Sequence, residues 1–104
     1  MKKLTSPAVA CDIMKQHGFH TLKAFGQYFL ADEHYVNAIV DAAEITHDDV
    51  VIEVGPGIGT LTQFMCMRAK HVIAIEIDKK LIPILNDTLA EFDNITILNQ
   101  DVLK

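Results

Sequence analysis

Three short apolar segments recur along the second half of the chain, separated by stretches in which apolar residues follow a helical period. Residues 50–54, 72–76 and 95–98 consist mostly of valine and isoleucine, which is typical of strands buried in a parallel sheet. The connections between them are short. This alternation predicts an α/β fold in which a parallel sheet with right-handed crossovers carries helices on both faces.

Two helices are expected before the first strand. Ser6-Pro7 is a helix start, and the first helix should end near Gly18. Asp32 is a suitable N-cap for a second helix that runs to about Ala43. The apolar positions of that second helix should form one buried stripe. They are Tyr35, Val36, Ile39, Val40 and Ala43.

Two further helices should connect the three strands. Thr60 is the expected N-cap of the helix after the first strand, and Asp78 that of the helix after the second. Pro83 is tolerated only in a first turn, because backbone N–H groups there have no helical partner. The last helix should therefore begin close to Lys80.

The loop after the first strand contains alternating glycines and is followed by an acidic strand end. Gly55, Gly57 and Gly59 allow a sharp turn and a close approach of the backbone to a ligand. Glu76 ends the second strand, 21 residues after Gly55. An acidic residue at about this distance accepts hydrogen bonds from ribose hydroxyls in βαβ nucleotide-binding units. The stretch therefore predicts a site for a ligand that contains adenosine.

The loop favours one adenosine cofactor over another. A dinucleotide-binding loop has the spacing Gly-x-Gly-x-x-Gly, whereas Thr60 stands here at the third glycine position. Glu53, two residues before the first glycine, disfavours a pyrophosphate and suits a cationic ammonium or sulfonium group. The pattern Glu-x-Gly-x-Gly-x-Gly, followed by a strand that ends in Glu, is that of S-adenosylmethionine-dependent methyltransferases.

The composition is that of one small packed domain or part of a larger one, with an uneven charge distribution. Of 104 residues, 50% are hydrophobic. Residues 1–31 carry four lysines and one acidic residue, whereas the remainder carries five basic and thirteen acidic residues. Residues 1–20 are accordingly expected to form a basic N-terminal leader near an anionic partner.

Neither a metal site nor a membrane segment is predicted. Cys11 and Cys66 lack the spacing of a metal or redox pair, and Cys66 falls in an apolar helical pattern that suits a buried reduced thiol. No stretch reaches the about 18 apolar residues of a membrane span, and the N-terminus lacks the apolar core of a signal peptide. We therefore expect a cytoplasmic location without a membrane partner.

Four segments together resemble a single family. They are residues 23–30 (Lys-Ala-Phe-Gly-Gln-Tyr-Phe-Leu), residues 51–62 (Val-Ile-Glu-Val-Gly-Pro-Gly-Ile-Gly-Thr-Leu-Thr), residues 72–78 (Val-Ile-Ala-Ile-Glu-Ile-Asp) and residues 99–103 (Asn-Gln-Asp-Val-Leu). They resemble the ribosomal RNA adenine N6,N6-dimethyltransferases. The resemblance covers residues 21–104. It implies the N-terminal half of a Rossmann-like class I methyltransferase domain, truncated after the third strand.

The resemblance also implies where the cofactor, S-adenosylmethionine, would bind. Tyr28 and Leu30 would contact its methionine end and cover the site, and Gly55 would let the loop backbone lie against it. Glu76 would hold the ribose hydroxyls, and Asp101 would hydrogen-bond the adenine amino group. No catalytic residue is expected in this chain, because the sulfonium methyl is already electrophilic and the enzyme's task is alignment.

Two departures from the family restrict this expectation. The family usually has asparagine where this sequence has Tyr28. The family's Asn-Leu-Pro-Tyr/Phe motif, which contacts a target adenine presented outside its stack, does not occur in the 104 residues. We therefore expect a cofactor-binding half that does not catalyse methyl transfer alone. The last strand would present an unpaired edge, from which we expect self-association or marginal stability.

The leading functional hypothesis is part of an enzyme that dimethylates adenine in small-subunit, 16S-type ribosomal RNA during ribosome maturation. One alternative is a resistance-type methyltransferase that acts on large-subunit ribosomal RNA. Another is a non-catalytic RNA-binding assembly factor that keeps the fold. A nicotinamide-dependent enzyme is disfavoured by the glycine spacing and by Glu53.

Overall fold

The computed structural model describes residues 2–19 and 33–103, which form three strands and four helices. In chain order the elements are α1 (Pro7–Gln16), α2 (Glu33–Ala42), β1 (Val50–Val54), α3 (Thr60–Cys66), β2 (His71–Glu76), α4 (Ile82–Thr88) and β3 (Ile95–Asn99). The predicted α/β class is confirmed. Tyr28 and Leu30 lie outside the described residues, as does the rest of the segment 23–30.

The three strands form a parallel sheet in the order β1-β2-β3, so β2 is central. Val54 pairs with Ile75 at the end of β1, and Glu76 pairs with Asn99 at the end of β2. The carboxyl ends of all three strands therefore lie along one edge of the sheet. In open parallel sheets this edge is where ligands bind.

One face of the sheet is covered by helices. Val51 and Ile95 pack against a core to which α2, α3 and β2 contribute. Its members are Val36, Val40, Phe64, Met65, Cys66, Ala69 and Val72. Burial of this apolar area, at about 25 cal/mol per Å², is the main force holding the helices on the strands.

The opposite face of β1 is open among the described residues. Val50, Ile52 and Val54 are 58%, 63% and 59% exposed, although all three are β-branched and apolar. Side chains alternate between the two faces of a strand, so these three share one face while Val51 and Glu53 share the other. The described helices thus cover one face of the sheet, where both faces were expected to be covered.

The N-terminal residues are part of the folded domain. Leu4 is 2% exposed and packs in a second core cluster with Met14 of α1 and Ile84 of α4. The Lys2 ammonium lies 2.8 Å from Asp87, and the Lys2 carbonyl accepts a hydrogen bond from Nε2 of Gln63 at 3.0 Å. The segment that we expected to form a basic leader therefore packs through residues 2–19 into the same unit as the strands.

Two of the expected helix caps are wrong. Thr60 is the first residue of α3 rather than its cap, and Gly59 holds the N-cap position in a left-handed conformation. Asp78 accepts a hydrogen bond from the Lys80 amide within a turn, and α4 begins only at Ile82. The predicted position of Pro83 is confirmed, because this proline lies in the first turn of α4.

The expected buried stripe of α2 is partly wrong. Val36 and Val40 are fully buried, but Tyr35 and Ile39 are 67% and 43% exposed. Ile39 instead lines a groove of about 610 Å³ beside the free edge of β1. Among the described residues, no helix is both long and apolar enough to cross a membrane.

Candidate functional site

The glycine loop between β1 and α3 has one open side and one closed side. Gly55 has φ +71°, and a Cβ at this position would meet no atom within 4 Å. Gly59 has φ +94°, and a Cβ there would lie 2.9 Å from Oγ1 of Thr88 and 3.3 Å from Cδ2 of Leu85. The loop therefore rests on α4 at Gly59 and leaves its backbone accessible at Gly55.

The loop is tied to the end of β2 by Glu76. This side chain is 5% exposed, and its Oε1 accepts a hydrogen bond from the Gly57 amide at 3.3 Å. Its Oε2 accepts a hydrogen bond from the Asp78 amide at 3.0 Å. A carboxylate oxygen can accept two hydrogen bonds, so each oxygen of Glu76 keeps one acceptor position for a ligand hydroxyl.

A second carboxylate, that of Glu53, lies on the helix-covered face near the end of β1. Its Oε1 accepts a hydrogen bond from Oγ1 of Thr62 in α3, and its pKa is raised above the usual value. Burial is the main cause of the raised pKa, the hydrogen bond from Thr62 opposes it, and the negative charge of Glu76 adds to it. The end of β1 is therefore flanked by two acidic side chains.

The end of β3 is joined to the end of β2 through Asn99. Its Nδ2 donates to the carbonyl oxygens of Glu76 and Ile77 at 2.9 and 3.2 Å. Asp101, two residues further on, is partly exposed and accepts a hydrogen bond from the Leu103 amide at 3.0 Å. Asn99 thus fixes the path of the backbone that follows Glu76.

The structure brings three of the predicted site residues to one edge of the sheet. Gly55 follows β1, Glu76 ends β2 and Asp101 follows β3. Their contacts with a cofactor stay predictions. Asn99 was not predicted as a site residue, although the sequence places it in a polar cluster at the end of the third apolar strand.

This geometry fits an adenosine ligand with a cationic end. The open backbone at Gly55 lets a flat or extended ligand lie against the loop, and the Glu76 carboxylate offers acceptors to ribose hydroxyls. Two neighbouring carboxylates attract a cation and repel a pyrophosphate. A cationic ligand is therefore favoured at this site over a pyrophosphate.

Cys66 of α3 lies close enough to Glu53 for the two side chains to interact electrostatically, but its thiol is not a reactive group. The thiol is 5% exposed, and burial together with the Glu53 carboxylate raises its pKa to about 12. The thiolate is the reactive form of cysteine, so this side chain is inert at neutral pH. The sequence-based prediction of a buried thiol is confirmed.

Comparison with known proteins gives a consistent result. The family model for ribosomal RNA adenine dimethylase matches residues 18–104. A relative from Lachnoclostridium phytofermentans, named ribosomal RNA small subunit methyltransferase A, is 50% identical over 105 residues. That match covers 100% of this chain and 36% of the relative, so the chain spans about a third of the relative's length.

Two solved structures are similar in both sequence and fold. The crystal structure of the 23S rRNA methyltransferase ErmE matches with a TM-score of 0.68 and 38% identity, covering 73% of this chain and 31% of that one. A dimethyladenosine transferase from Plasmodium falciparum matches with a TM-score of 0.64 and 31% identity, covering 70% of this chain and 27% of that one.

Proposed function

The chain belongs to the ribosomal RNA adenine dimethylase family, and on that premise we propose that it is the S-adenosylmethionine-binding part of an enzyme that dimethylates adenine in small-subunit ribosomal RNA. The relative that is 50% identical carries a small-subunit name. A ribosomal substrate implies action in the cytoplasm and a role in ribosome maturation. The partner that we propose is accordingly ribosomal RNA within the small subunit.

One observation carries the proposal: the glycine loop is open at Gly55 and is held by the carboxylate of Glu76. In this arrangement the backbone at Gly55 would lie against the cofactor, and Glu76 would accept hydrogen bonds from the ribose. Asp101 would accept a hydrogen bond from the adenine amino group at the neighbouring strand end. The family resemblance extends the site to Tyr28 and Leu30, which would cover the methionine end.

The cofactor supplies an electrophilic methyl group on a sulfonium. The chain's own residues bind and orient that group, and alignment of the accepting amine with the methyl is the main requirement of the transfer. None of the described residues is needed as a general base. The adenine-contacting motif of the family is not part of these 104 residues, so we expect no methyl transfer from this chain by itself.

Large-subunit ribosomal RNA is the second candidate substrate. The similarity to ErmE, named as a 23S rRNA methyltransferase, supports it at 38% identity. The small-subunit relative is more similar in sequence and matches the whole chain. We therefore favour the small subunit.

Calorimetric titration of the purified chain tests the cofactor assignment. We expect saturable binding of S-adenosylmethionine and none of NAD. The variant Glu76→Gln keeps one acceptor oxygen for the Gly57 amide but removes the charge that faces the ribose. It should bind about tenfold more weakly, which corresponds to the loss of one hydrogen bond to a charged group.

The matched control is Glu91→Gln. Glu91 is exposed and precedes β3, so it lies near the amino ends of the strands, whereas the candidate site lies at their carboxyl ends. This variant should bind S-adenosylmethionine like the wild type. A folded wild-type chain that binds NAD instead, or neither ligand, would contradict the proposed function.

We also propose that the chain self-associates through an edge of its sheet. The sequence pointed to the last strand, whereas the exposed apolar side chains at an edge belong to β1. An edge strand offers unpaired N–H and C=O groups to a second strand. Val50 and Val54 flank Ile52, so two antiparallel copies of β1 would place apolar residues opposite each other.

A further inference from the structure

The Thr62 side chain makes an unusual hydrogen bond for a residue inside a helix. It is fully buried in α3, and its Oγ1 donates to the carboxylate of Glu53 on β1. A threonine within a helix commonly donates its hydroxyl to a carbonyl of its own preceding turn. Here the hydroxyl crosses from the helix to the strand and fixes one oxygen of an acidic side chain.

Among the described residues, Glu53 has no cationic partner. The groups that shift its pKa are Thr62 and Glu76, besides its own burial. Two of these three influences disfavour the charged form, and only the hydroxyl of Thr62 favours it. A partly buried carboxylate with no counter-ion among the described residues is unfavourable, and it suits a site where a cationic ligand supplies the missing charge.

The position of Glu53 matches the cationic end of the proposed cofactor. Glu76 lies towards β2, where the ribose would bind, whereas Glu53 lines the groove along the free edge of β1. Glu53 pairs with Ala74, so the carboxylates of Glu53 and Glu76 lie on the same face of neighbouring strands, close to the loop that begins at Gly55. A ligand on this loop would meet a hydroxyl-binding acid at the end of β2 and a second acid near the end of β1.

We propose that Thr62 is a positioning residue, which orients the Glu53 carboxylate and so makes the site select a cationic cofactor over a neutral adenosine thioether. This inference rests on the proposed function, because it assumes that the site binds S-adenosylmethionine. Thr62 itself touches no ligand and acts through Glu53.

The test compares two ligands, S-adenosylmethionine and 5′-deoxy-5′-methylthioadenosine, which shares the adenosine and the sulfur but has no positive charge. Thr62→Val keeps the shape of the side chain and removes the donor. It should weaken binding of S-adenosylmethionine about tenfold and leave binding of the neutral thioether unchanged. Thr62→Ser, which restores the hydroxyl, should recover most of the loss.

The pH dependence provides a second readout that a purely structural role would not change. Glu53 is faced by Thr62 and the neutral thiol of Cys66 from α3, and by Glu76 from β2. Without the hydroxyl, the pKa of Glu53 rises further. As the pH is lowered, Glu53 takes up a proton and the affinity for S-adenosylmethionine declines. This decline should begin at a higher pH in Thr62→Val than in the wild type. Glu76 is present in both proteins and does not contribute to the difference.

The outcomes separate this inference from the proposed function. A wild-type chain that binds neither ligand would overturn both. A wild-type chain that binds S-adenosylmethionine, with Thr62→Val equally tight or equally weakened for both ligands, would overturn the inference alone. If Thr62→Val does not fold, Glu53→Gln replaces it and must lose the preference for the cationic ligand.

Discussion

The Gly57 amide donates to Oε1 of Glu76 at 3.3 Å, so the glycine loop after β1 is bound directly to the last residue of β2. The two halves of the candidate site are therefore joined within the protein before any ligand arrives. A loop restrained in this way loses less conformational freedom when a ligand binds. The same contact makes the loop sensitive to changes on either side of it.

Replacement of Gly59 should be more harmful to stability than replacement of Gly55. Both glycines have positive φ, which a side chain disfavours. At Gly59 the new Cβ also meets Oγ1 of Thr88 at 2.9 Å, and that hydroxyl is held by the Ile58 carbonyl at 2.8 Å and cannot yield easily. We expect Gly59→Ala to lower the free energy of unfolding by about 2–4 kcal/mol.

Gly55→Ala is the matched comparison, because its Cβ would point into open space. Only the backbone strain of about 1–2 kcal/mol should appear in its unfolding, whereas its cofactor affinity should fall. Urea unfolding followed by circular dichroism measures both variants. Equal stabilities for the two would contradict the packing of the loop against α4.

Leu4→Ala should destabilise the whole domain. Leu4 is 2% exposed in a core cluster shared with α1 and α4, so its truncation leaves a cavity. We expect a loss of about 2–4 kcal/mol in the free energy of unfolding, measured by urea titration. Lys3→Ala, at a neighbouring exposed position, should change it little. An unchanged stability of Leu4→Ala would show that the N-terminal residues are not part of the cooperative unit.

Glu53→Gln should stabilise the chain at neutral pH. The folded-state pKa of Glu53 is raised by burial and by Glu76, so the folded protein holds its proton more tightly than the unfolded chain. Stability should therefore fall as the pH rises from the usual pKa through the raised one, and the neutral amide should escape this loss. Thermal unfolding of both proteins at pH 4 and pH 7 measures the difference.

The expected result is a higher Tm for Glu53→Gln at pH 7 and a smaller difference at pH 4. If the variant is less stable than the wild type at pH 7, the hydrogen bond from Thr62 stabilises the Glu53 carboxylate by more than burial destabilises it. The stabilised variant should also bind S-adenosylmethionine more weakly. Stability would then have been given up at this position for ligand binding.

Ile52→Lys should reduce self-association. Ile52 is 63% exposed at the centre of β1, and a lysine at an edge strand opposes pairing with a second copy. Sedimentation velocity across a concentration series should show the wild type shifting towards dimer and the variant staying monomeric. Met67→Lys adds the same charge at a position that is 60% exposed beyond α3, and it should behave like the wild type.

The sheet could be predicted well because each strand is a compact β-branched run. All three strands lie within one residue of their expected bounds, and the glycine loop and Glu76 follow from local spacing alone. The exposure of Tyr35 could not be predicted in the same way. The helical period identifies the apolar side of α2. It does not show that α2 lies beside the free edge of β1, where part of that apolar side stays exposed.

The least predictable residues are those whose partners are distant in the sequence. Gln63 is fully buried and donates to the Thr88 carbonyl at 2.9 Å, 25 residues away. Thr62 likewise finds its acceptor on another element. From sequence alone, polar residues in a helix are predicted to face solvent, because their distant hydrogen-bond partners are known only from the tertiary structure.

The docking of the N-terminal residues on α4 determines the order in which the chain can fold. The strands pair in chain order, so the sheet can assemble one crossover at a time. Lys2 and Asp87, by contrast, are separated by 85 residues, so their contact closes nearly the whole chain. During synthesis from the N-terminus, α1 is made first and yet can dock on α4 only after α4 has been made.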